Sequence, residues 1–286
     1  MKRENFKPFS KKALFTLFIA FTVTAFSGCS SDDDEPASPD SPDNKVTINA
    51  DGTASGGAVF HRIDDKTFFL DYIKYQIVDS HLEVWDYDAT VPLSNPKLYS
   101  EVRINGTPLL LKVARFSFAP FKSVTIPSTV TNFCFWECKS LNKVVIPTGI
   151  NELNYPGFMG CSSLSNINLP DGLKSIVENC FCECTKLSSI KIPDSVEEIG
   201  EYAFAYCYSL TNLELPKNLN KLGNFFINGC KNLKSVTFKN DVPKQMSYNA
   251  FGQSGQMWLP NDFTIYVPNR YLENYKSAIG GKIIGY

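Results

Sequence analysis

The fold is decided by residues 192–207, whose sequence is IPDSVEEIGEYAFAYC, because their pattern recurs along the chain. Each copy ends in a cysteine, followed three residues later by leucine and six and eight residues later by two further apolar residues. A large apolar side chain stands three residues before each cysteine, and proline follows four of the five copies. The cysteines are 23 residues apart: Cys138, Cys161, Cys184, Cys207 and Cys230. Registered copies of this kind indicate a repeat architecture.

Each repeat combines two structural signals. The apolar residues six and eight positions after each cysteine alternate with polar ones, as in a β-strand, and the following proline ends the strand because it has no N–H to donate. In residues 194–206, apolar residues stand at helix-like spacings, which predicts a short helical or 3₁₀ return. One strand and one return in about 23 residues predict one coil of a solenoid, which buries its apolar side by stacking on its neighbours. With two irregular end copies, seven strands should form one parallel sheet.

The motif Cys-x-x-Leu-x-x-Ile-x-Ile-Pro, with Ala-Phe-x-x-Cys ending the same coil, resembles the BspA-like leucine-rich repeat of Bacteroides-type bacteria. The resemblance covers residues 114–286, including a C-terminal closing segment, and implies a leucine-rich-repeat solenoid that attaches to host matrix proteins or to other cells. Residues 46–113 lack the period but contain short β-like runs and an Asn105-Gly106 hairpin signal. We expect them to form a small antiparallel β-cap at the N-terminal edge, the alternative being an independent domain.

The first 45 residues predict export and anchoring. A basic head precedes an apolar run that ends in Phe26-Ser27-Gly28-Cys29, which resembles a bacterial lipobox. Residues 1–28 are therefore predicted to be a lipoprotein signal peptide, with lipid attached to Cys29; the alternative is an ordinary signal peptide with an incidental cysteine. Residues 29–45 are polar, and their acidic start resembles a lipoprotein surface-export signal, which predicts a disordered tether and a lipid-anchored location at the outer membrane and cell surface; the alternative is a merely soluble linker.

Composition argues against several classes of function. The formal net charge of −1 gives no electrostatic basis for binding nucleic acid. Only His61 and His81 are available for a multi-histidine metal site or for acid–base chemistry. Neither a nucleotide-binding glycine motif nor a catalytic constellation accompanies them. We therefore expect no enzyme, no metal and no cofactor, although a cleft around either histidine would reopen the question.

The repeat cysteines have three possible roles: metal ligands, disulfide partners or core thiols. Zinc motifs space their ligands two to four residues apart, whereas here one thiol recurs per coil. Stacked coils bring neighbouring thiols close, but parallel Cβ directions resist the dihedral angle of a disulfide. We expect a structural ladder of reduced, buried thiols that donate to nearby carbonyl groups. By register, Cys134 and Cys180 should be interior, while Cys182 should face outward and be the most reactive thiol.

Two surfaces are candidates for binding. The exposed strand face is polar and nearly neutral, which suits either a binding surface or a merely solvated one; its candidate residues are Asn166, Asn168, Lys191, Asn212, Glu214 and Tyr266. Larger contact groups lie in a candidate aromatic patch of Trp136, Tyr206 and Trp258, with Trp136 projecting from the return side. The leading hypothesis is a monomeric, surface-anchored, non-enzymatic adhesion module for a protein partner. The alternative is a glycan-binding surface lipoprotein, which needs exposed aromatic platforms.

Overall fold

The computed structural model describes residues 45–251, 260–279 and 282–286. The predicted signal peptide, Cys29, most of the tether and Trp258 lie outside these residues. In the described part of the chain, no helix is both long and apolar enough to cross a membrane. The strands of residues 45–117, which we name the N-terminal sheet, are β1 (Lys45–Ile48), β2 (Phe60–Arg62), β3 (Thr67–Leu70), β4 (Ile73–Val78), β5 (His81–Tyr87), β6 (Glu101–Ile104) and β7 (Thr107–Ser117).

Residues 118–286, which we name the repeat region, form shorter elements. Their strands are β8 (Ser123–Thr125), β9 (Asn132–Trp136), β10 (Lys143–Val145), β11 (Glu152–Leu153), β12 (Ser175–Ile176), β13 (Glu198–Ile199), β14 (Asn212–Glu214), β15 (Lys221–Leu222), β16 (Ser235–Thr237), β17 (Gln245–Met246), β18 (Thr264–Val267) and β19 (Ile283–Gly285). The only α-helix of the described residues is α1 (Leu272–Ala278), and 3₁₀ turns span Ser55–Gly57 and Asn269–Tyr271.

The N-terminal sheet has the strand order β1-β6-β7-β5-β4-β3-β2, and β9 of the first coil joins β7. The predicted antiparallel unit is instead a mixed sheet, because β1 runs parallel to β6 and β7 runs parallel to both β5 and β9. The cause is the 11-residue length of β7, which pairs with β6 and β5 and then continues to pair with β9. The predicted boundary at residue 113 falls inside this strand.

The coils of the repeat region stack with parallel register. Strands β12, β13 and β15 pair at offsets of 23 residues, from Ser175↔Glu198 to Glu198↔Lys221. On the predicted strand side, however, the ladder is interrupted: β8 pairs with β10, and a separate sheet has the order β14-β16-β18-β19. Between them lies the isolated bridge Asn168↔Lys191. The expectation of one continuous seven-stranded sheet was wrong. The strands on this side hold only three or four residues each, so few ladder hydrogen bonds join neighbouring coils, and two coils are joined by a single bridge.

The return side of each coil is extended and turned, so the predicted helical or 3₁₀ return was wrong for residues 194–206. Two-residue strands line this side as a second parallel sheet, in the order β11-β12-β13-β15-β17. The turns place left-handed residues at two positions of a coil, for example Tyr202 (φ 52°) and Tyr206 (φ 60°). A right-handed helix needs φ near −63°, so these residues interrupt it whatever the apolar spacing.

A stack of aromatic rings forms the centre of the repeat core. The ring centroids of consecutive members lie 5.4–5.9 Å apart, and the interplanar angle falls from 22° at the first pair to 6° at the last. The members, all fully or almost fully buried, are Phe116, Phe135, Phe158, Phe181 and Phe204. Because Phe116 belongs to β7, the last strand of the N-terminal sheet supplies the first ring of the repeat core.

Candidate functional site

The five repeat cysteines form a buried row in which each thiol donates to the coil before it. Cys161 Sγ lies 3.0 Å from the carbonyl oxygen of Phe135, and the next three cysteines repeat this 26-residue contact at 3.1–3.3 Å. Cys138 makes the longer equivalent contact of 3.7 Å to Phe116. All five have no measurable exposure and are unpaired. Each cysteine of the row therefore provides a hydrogen-bond donor to one buried carbonyl group of the preceding coil, which is a structural role.

Burial also governs the remaining thiols. Cys134 and Cys180 are interior, as their register indicates, but Cys182 is only 5% exposed. The expectation that Cys182 faces outward was wrong, because its slot packs between coils, as Ala205 does one coil later. That Cys182 is the most reactive of the thiols stays a prediction. Burial raises the pKa of Cys182 to about 11, and it raises the pKa of Cys138 to about 12. Thiols with such pKa values are poor nucleophiles at neutral pH.

The predicted strand face is accessible but lacks large contact groups. Asn166, Asn168, Lys191, Asn212 and Glu214 are exposed, whereas Tyr266 is half-buried. Asn212 is engaged within the face, where its Oδ1 accepts from Ser235 Oγ at 2.8 Å. Glu214 lies 3.3 Å from Lys239 Nζ. This surface presents hydrogen-bonding groups at regular spacing along the stacked coils.

Larger groups are carried by the turns beside Cys138, Cys207 and Cys230 and by the equivalent turn of the irregular first copy. We name this set the turn ridge: Phe118, Trp136, Glu137, Tyr206, Tyr208 and Lys231. Tyr206 and Tyr208 are each 37% exposed, with ring centroids 6.4 Å apart in an edge arrangement. Lys231 Nζ lies 4.8 Å from the centroid of Tyr208. Tyr206 rests directly on Gly229, where a β-carbon would collide with its ring. Because Gly229 of the next coil has no side chain, the ring of Tyr206 can lie directly on its backbone, and this contact fixes the orientation of the tyrosine.

The predicted aromatic patch is only partly realised. Tyr206 is exposed as required, but Trp136 is half-buried and packs on Phe118, which is 55% exposed, at a centroid distance of 5.1 Å. Trp136 Nε1 is buried and has no hydrogen-bond partner in the described part of the chain. The sequence reasoning missed Lys231, although it stands one residue after a repeat cysteine.

Of the two histidines, His61 is exposed on β2 and His81 borders an open cleft of about 530 Å³ on the N-terminal sheet. His81 Nε2 lies 3.2 Å from Glu83 Oε1, and the other oxygen of Glu83 accepts from Trp85 Nε1 at 2.7 Å. The described residues contain no group of three potential metal ligands. The cleft is thus a polar surface feature beside a histidine–carboxylate pair.

The comparisons with known proteins agree with this architecture. The family described as BspA type leucine rich repeat region matches residues 128–257 in six copies. A leucine-rich repeat protein from T. pallidum is 21% identical with a TM-score of 0.52, over 74% of this chain and 95% of that one. A leucine-rich repeat protein from Bacteroides ovatus is 23% identical with a TM-score of 0.52, over 76% of this chain and 67% of that one. No curated protein sequence matches significantly.

These structural likenesses establish the fold, and the family match identifies the type of repeat in residues 128–257. The matched segment contains the cysteine row, most of the phenylalanine stack and most of the turn ridge. Residues 128–257 are therefore a BspA-like leucine-rich-repeat region.

Proposed function

We propose that this protein is a non-enzymatic binding or adhesion module that engages a protein partner, such as a host matrix protein or another cell's surface, through its turn ridge. The observation that carries the proposal is the exposed Tyr206–Tyr208 pair with Lys231 beside it. Tyrosine supplies large contact area at low cost in conformational entropy, and protein interfaces draw much of their binding energy from such residues. The stacked coils hold the pair rigidly.

The strand face serves as the polar part of the same binding surface. Asn166, Asn168 and Lys191 supply exposed donors and acceptors at adjacent coils, but they provide no aromatic anchor. Interfaces combine a few energetic anchors with surrounding polar contacts that exclude water. We therefore assign the larger energetic share to the turn ridge and a supporting share to the face.

Attachment to the cell belongs to the same proposal. A signal peptide of residues 1–28 directs export, lipid on Cys29 anchors the mature chain in the outer membrane, and residues 29–45 act as a tether. The β-rich residues 46–113 and the coils of residues 114–286 are then presented at the cell surface as a monomer. The family match is consistent with a surface location.

A glycan partner is the second candidate. Glycan recognition needs an exposed aromatic platform, and Trp85 of the N-terminal sheet is 44% exposed. Arg115 lies over its ring at 4.8 Å and Glu83 accepts from its indole N–H, so the ring is held in one orientation. Trp136 is less suited to this role, since Phe118 packs against it.

The test uses a panel of immobilised, purified extracellular-matrix proteins and the double variant Tyr206→Ala/Tyr208→Ala. For the matrix protein that binds the wild-type chain, we expect the double variant to bind at least tenfold more weakly, because each lost anchor costs about 1–2 kcal/mol. Tyr248→Ala, which removes a 78% exposed tyrosine away from the ridge, is the matched control and should bind normally. Unchanged binding by the double variant, or micromolar binding to a glycan array alone, would contradict the proposal.

A further inference from the structure

The cleft on the N-terminal sheet is built from residues of three neighbouring strands. Across the sheet, Glu101 of β6 pairs with Leu110 of β7, which in turn pairs with His81 of β5. Arg103 and Pro108 form the next pair on the same face, two residues along, and Lys112 lies two residues beyond Leu110. Together with Ser80, these residues line about 530 Å³, a volume within the range of small-ligand sites.

The charges in the cleft leave an excess of cationic donors. Glu101 is almost completely buried, and its carboxylate is neutralised by Arg103 Nε at 2.7 Å and by Lys45 Nζ at 3.7 Å. Within the described residues, the ammonium group of Lys112 has no carboxylate within ion-pair distance, and Arg103 engages Glu101 through Nε while its side chain remains 48% exposed. A ligand carboxylate would therefore find Lys112 and the remaining guanidinium nitrogens of Arg103 as donors.

The rest of the lining favours a ligand that also carries hydroxyl groups and a flat apolar surface. Leu110 and Pro108 provide apolar side chains between the charged groups, and both are at least partly accessible. Ser80 and His81 add hydrogen-bonding groups at one end, while the Glu101 carboxylate adds acceptors. A bare inorganic anion would use the cations alone, whereas a hydroxylated acid also gives Glu101 donors to accept from.

We infer that this cleft binds the carboxylate-bearing ring of an acidic sugar. Lys112 and Arg103 pair with the sugar carboxylate, Glu101 accepts from its hydroxyl groups, and Leu110 and Pro108 contact the carbon face of the ring. The cleft is separate from the turn ridge, so this site stands independently of the proposed protein partner. In a surface protein it would add a second, glycan-directed contact to the same chain.

The experiment is a calorimetric titration of the purified chain with four small ligands. Glucuronate is the probe, glucose tests the hydroxyl groups without the charge, and acetate and N-acetylglutamate test a carboxylate without the sugar ring. We expect glucuronate to bind at least tenfold more tightly than the other three. Lys112→Gln should weaken glucuronate binding about tenfold, since a charged hydrogen bond is lost, and Lys112→Arg should restore it.

Controls separate this site from loss of fold and from the turn ridge. Lys66→Gln removes an exposed lysine from the turn between β2 and β3, outside the cleft, and should leave glucuronate binding unchanged. The double variant Tyr206→Ala/Tyr208→Ala should also bind glucuronate normally, even if it loses a protein partner. The inference is overturned if acetate, N-acetylglutamate or glucose binds as well as glucuronate, if none binds at millimolar concentration, or if Lys112→Gln binds like wild type.

Discussion

The N-terminal sheet and the repeat region bury their apolar side chains in different ways. In the repeat region one residue type recurs at one position, so each phenylalanine meets its own counterpart in the next coil. In the N-terminal sheet each buried contact is individual; for example, the hydroxyl oxygen of Tyr75 accepts from the backbone N–H of Tyr99 at 3.0 Å. Because the same residues recur, the coils resemble one another closely and their packing can be predicted from the sequence. In the N-terminal sheet each contact is different, so a charged residue such as Glu101 can occur at a single position and contribute to a local site.

The largest expected effect tests the phenylalanine stack at its middle. Phe181→Ala should lower the free energy of unfolding by about 3–5 kcal/mol, because it removes a fully buried ring and leaves a cavity between Phe158 and Phe204. Coils contact only their neighbours, so the loss also weakens the coupling between the two halves of the stack. Urea unfolding followed by circular dichroism measures both the midpoint and the breadth of the transition.

The matched control is Tyr248→Ala, which removes an aromatic ring that is 78% exposed and should change the free energy of unfolding by less than about 0.5 kcal/mol. Phe68→Ala, in the N-terminal sheet, removes a ring stacked on Tyr75 and extends the comparison to an individual contact. A loss below about 1 kcal/mol for Phe181→Ala would show that the coils rearrange around the cavity, contrary to the rigid stack described above.

A second, smaller effect concerns the close approach of adjacent coils at Gly200. A β-carbon there would collide with the backbone of Val177 and Glu178 in the preceding coil, so Gly200→Ala should destabilise the protein by about 1–3 kcal/mol. Gly172→Ala is the paired control, because a β-carbon at that position meets open space. It should be neutral or slightly stabilising through the unfolded state. Equal thermal midpoints for the two variants would rule out the tight coil contact.

Much of the repeat region was predictable, because its period fixes which residues are buried. The sequence could not predict the returns, since apolar spacing reports burial and says little about the sign of φ at Tyr202 or Tyr206. Cys182 was misplaced for a related reason: its exposure depends on how closely neighbouring coils pack, which a single coil does not encode. The register of the coils, by contrast, follows directly from the cysteine spacing.

The cleft was not predicted because its residues are distant in sequence. His81, Glu101 and Lys112 meet only through the pairing of β5, β6 and β7, and this pairing is mixed rather than antiparallel. The available signal was the alternation of Glu101 and Arg103 beside a hairpin turn, which places both charges on one side of a strand. Without knowledge of the neighbouring strand, the same pattern is also expected of a solvent-exposed edge strand.

The smallest expected effect, per group, is the alkaline sensitivity of the thiols, and it also separates the two regions. The eight cysteines of the described residues all lie in the repeat region, whereas residues 45–117 contain none. Burial raises the pKa of each, to about 11 for Cys182 and about 12 for Cys230, above the value of about 9 in the unfolded chain. Between pH 9 and these raised values the unfolded state releases protons that the folded state keeps, so stability falls as pH rises.

Each thiol should contribute a loss of about 1.4 kcal/mol per pH unit in this window and almost nothing below pH 8. The measurement is urea unfolding of the reduced protein between pH 7.5 and 9.5, below the unfolded-state tyrosine pKa of about 10. Near pH 10 the buried Tyr75, whose pKa burial also raises, would add the same kind of loss. In Cys184→Ala the free energy of unfolding should fall less steeply with pH than in wild type, by the contribution of one thiol. This difference in slope is expected whatever the substitution itself costs in stability. If the free energy of unfolding fell equally steeply with pH in wild type and variant, the row of cysteines would not be held buried and protonated. The two regions would then not differ in their sensitivity to alkaline pH.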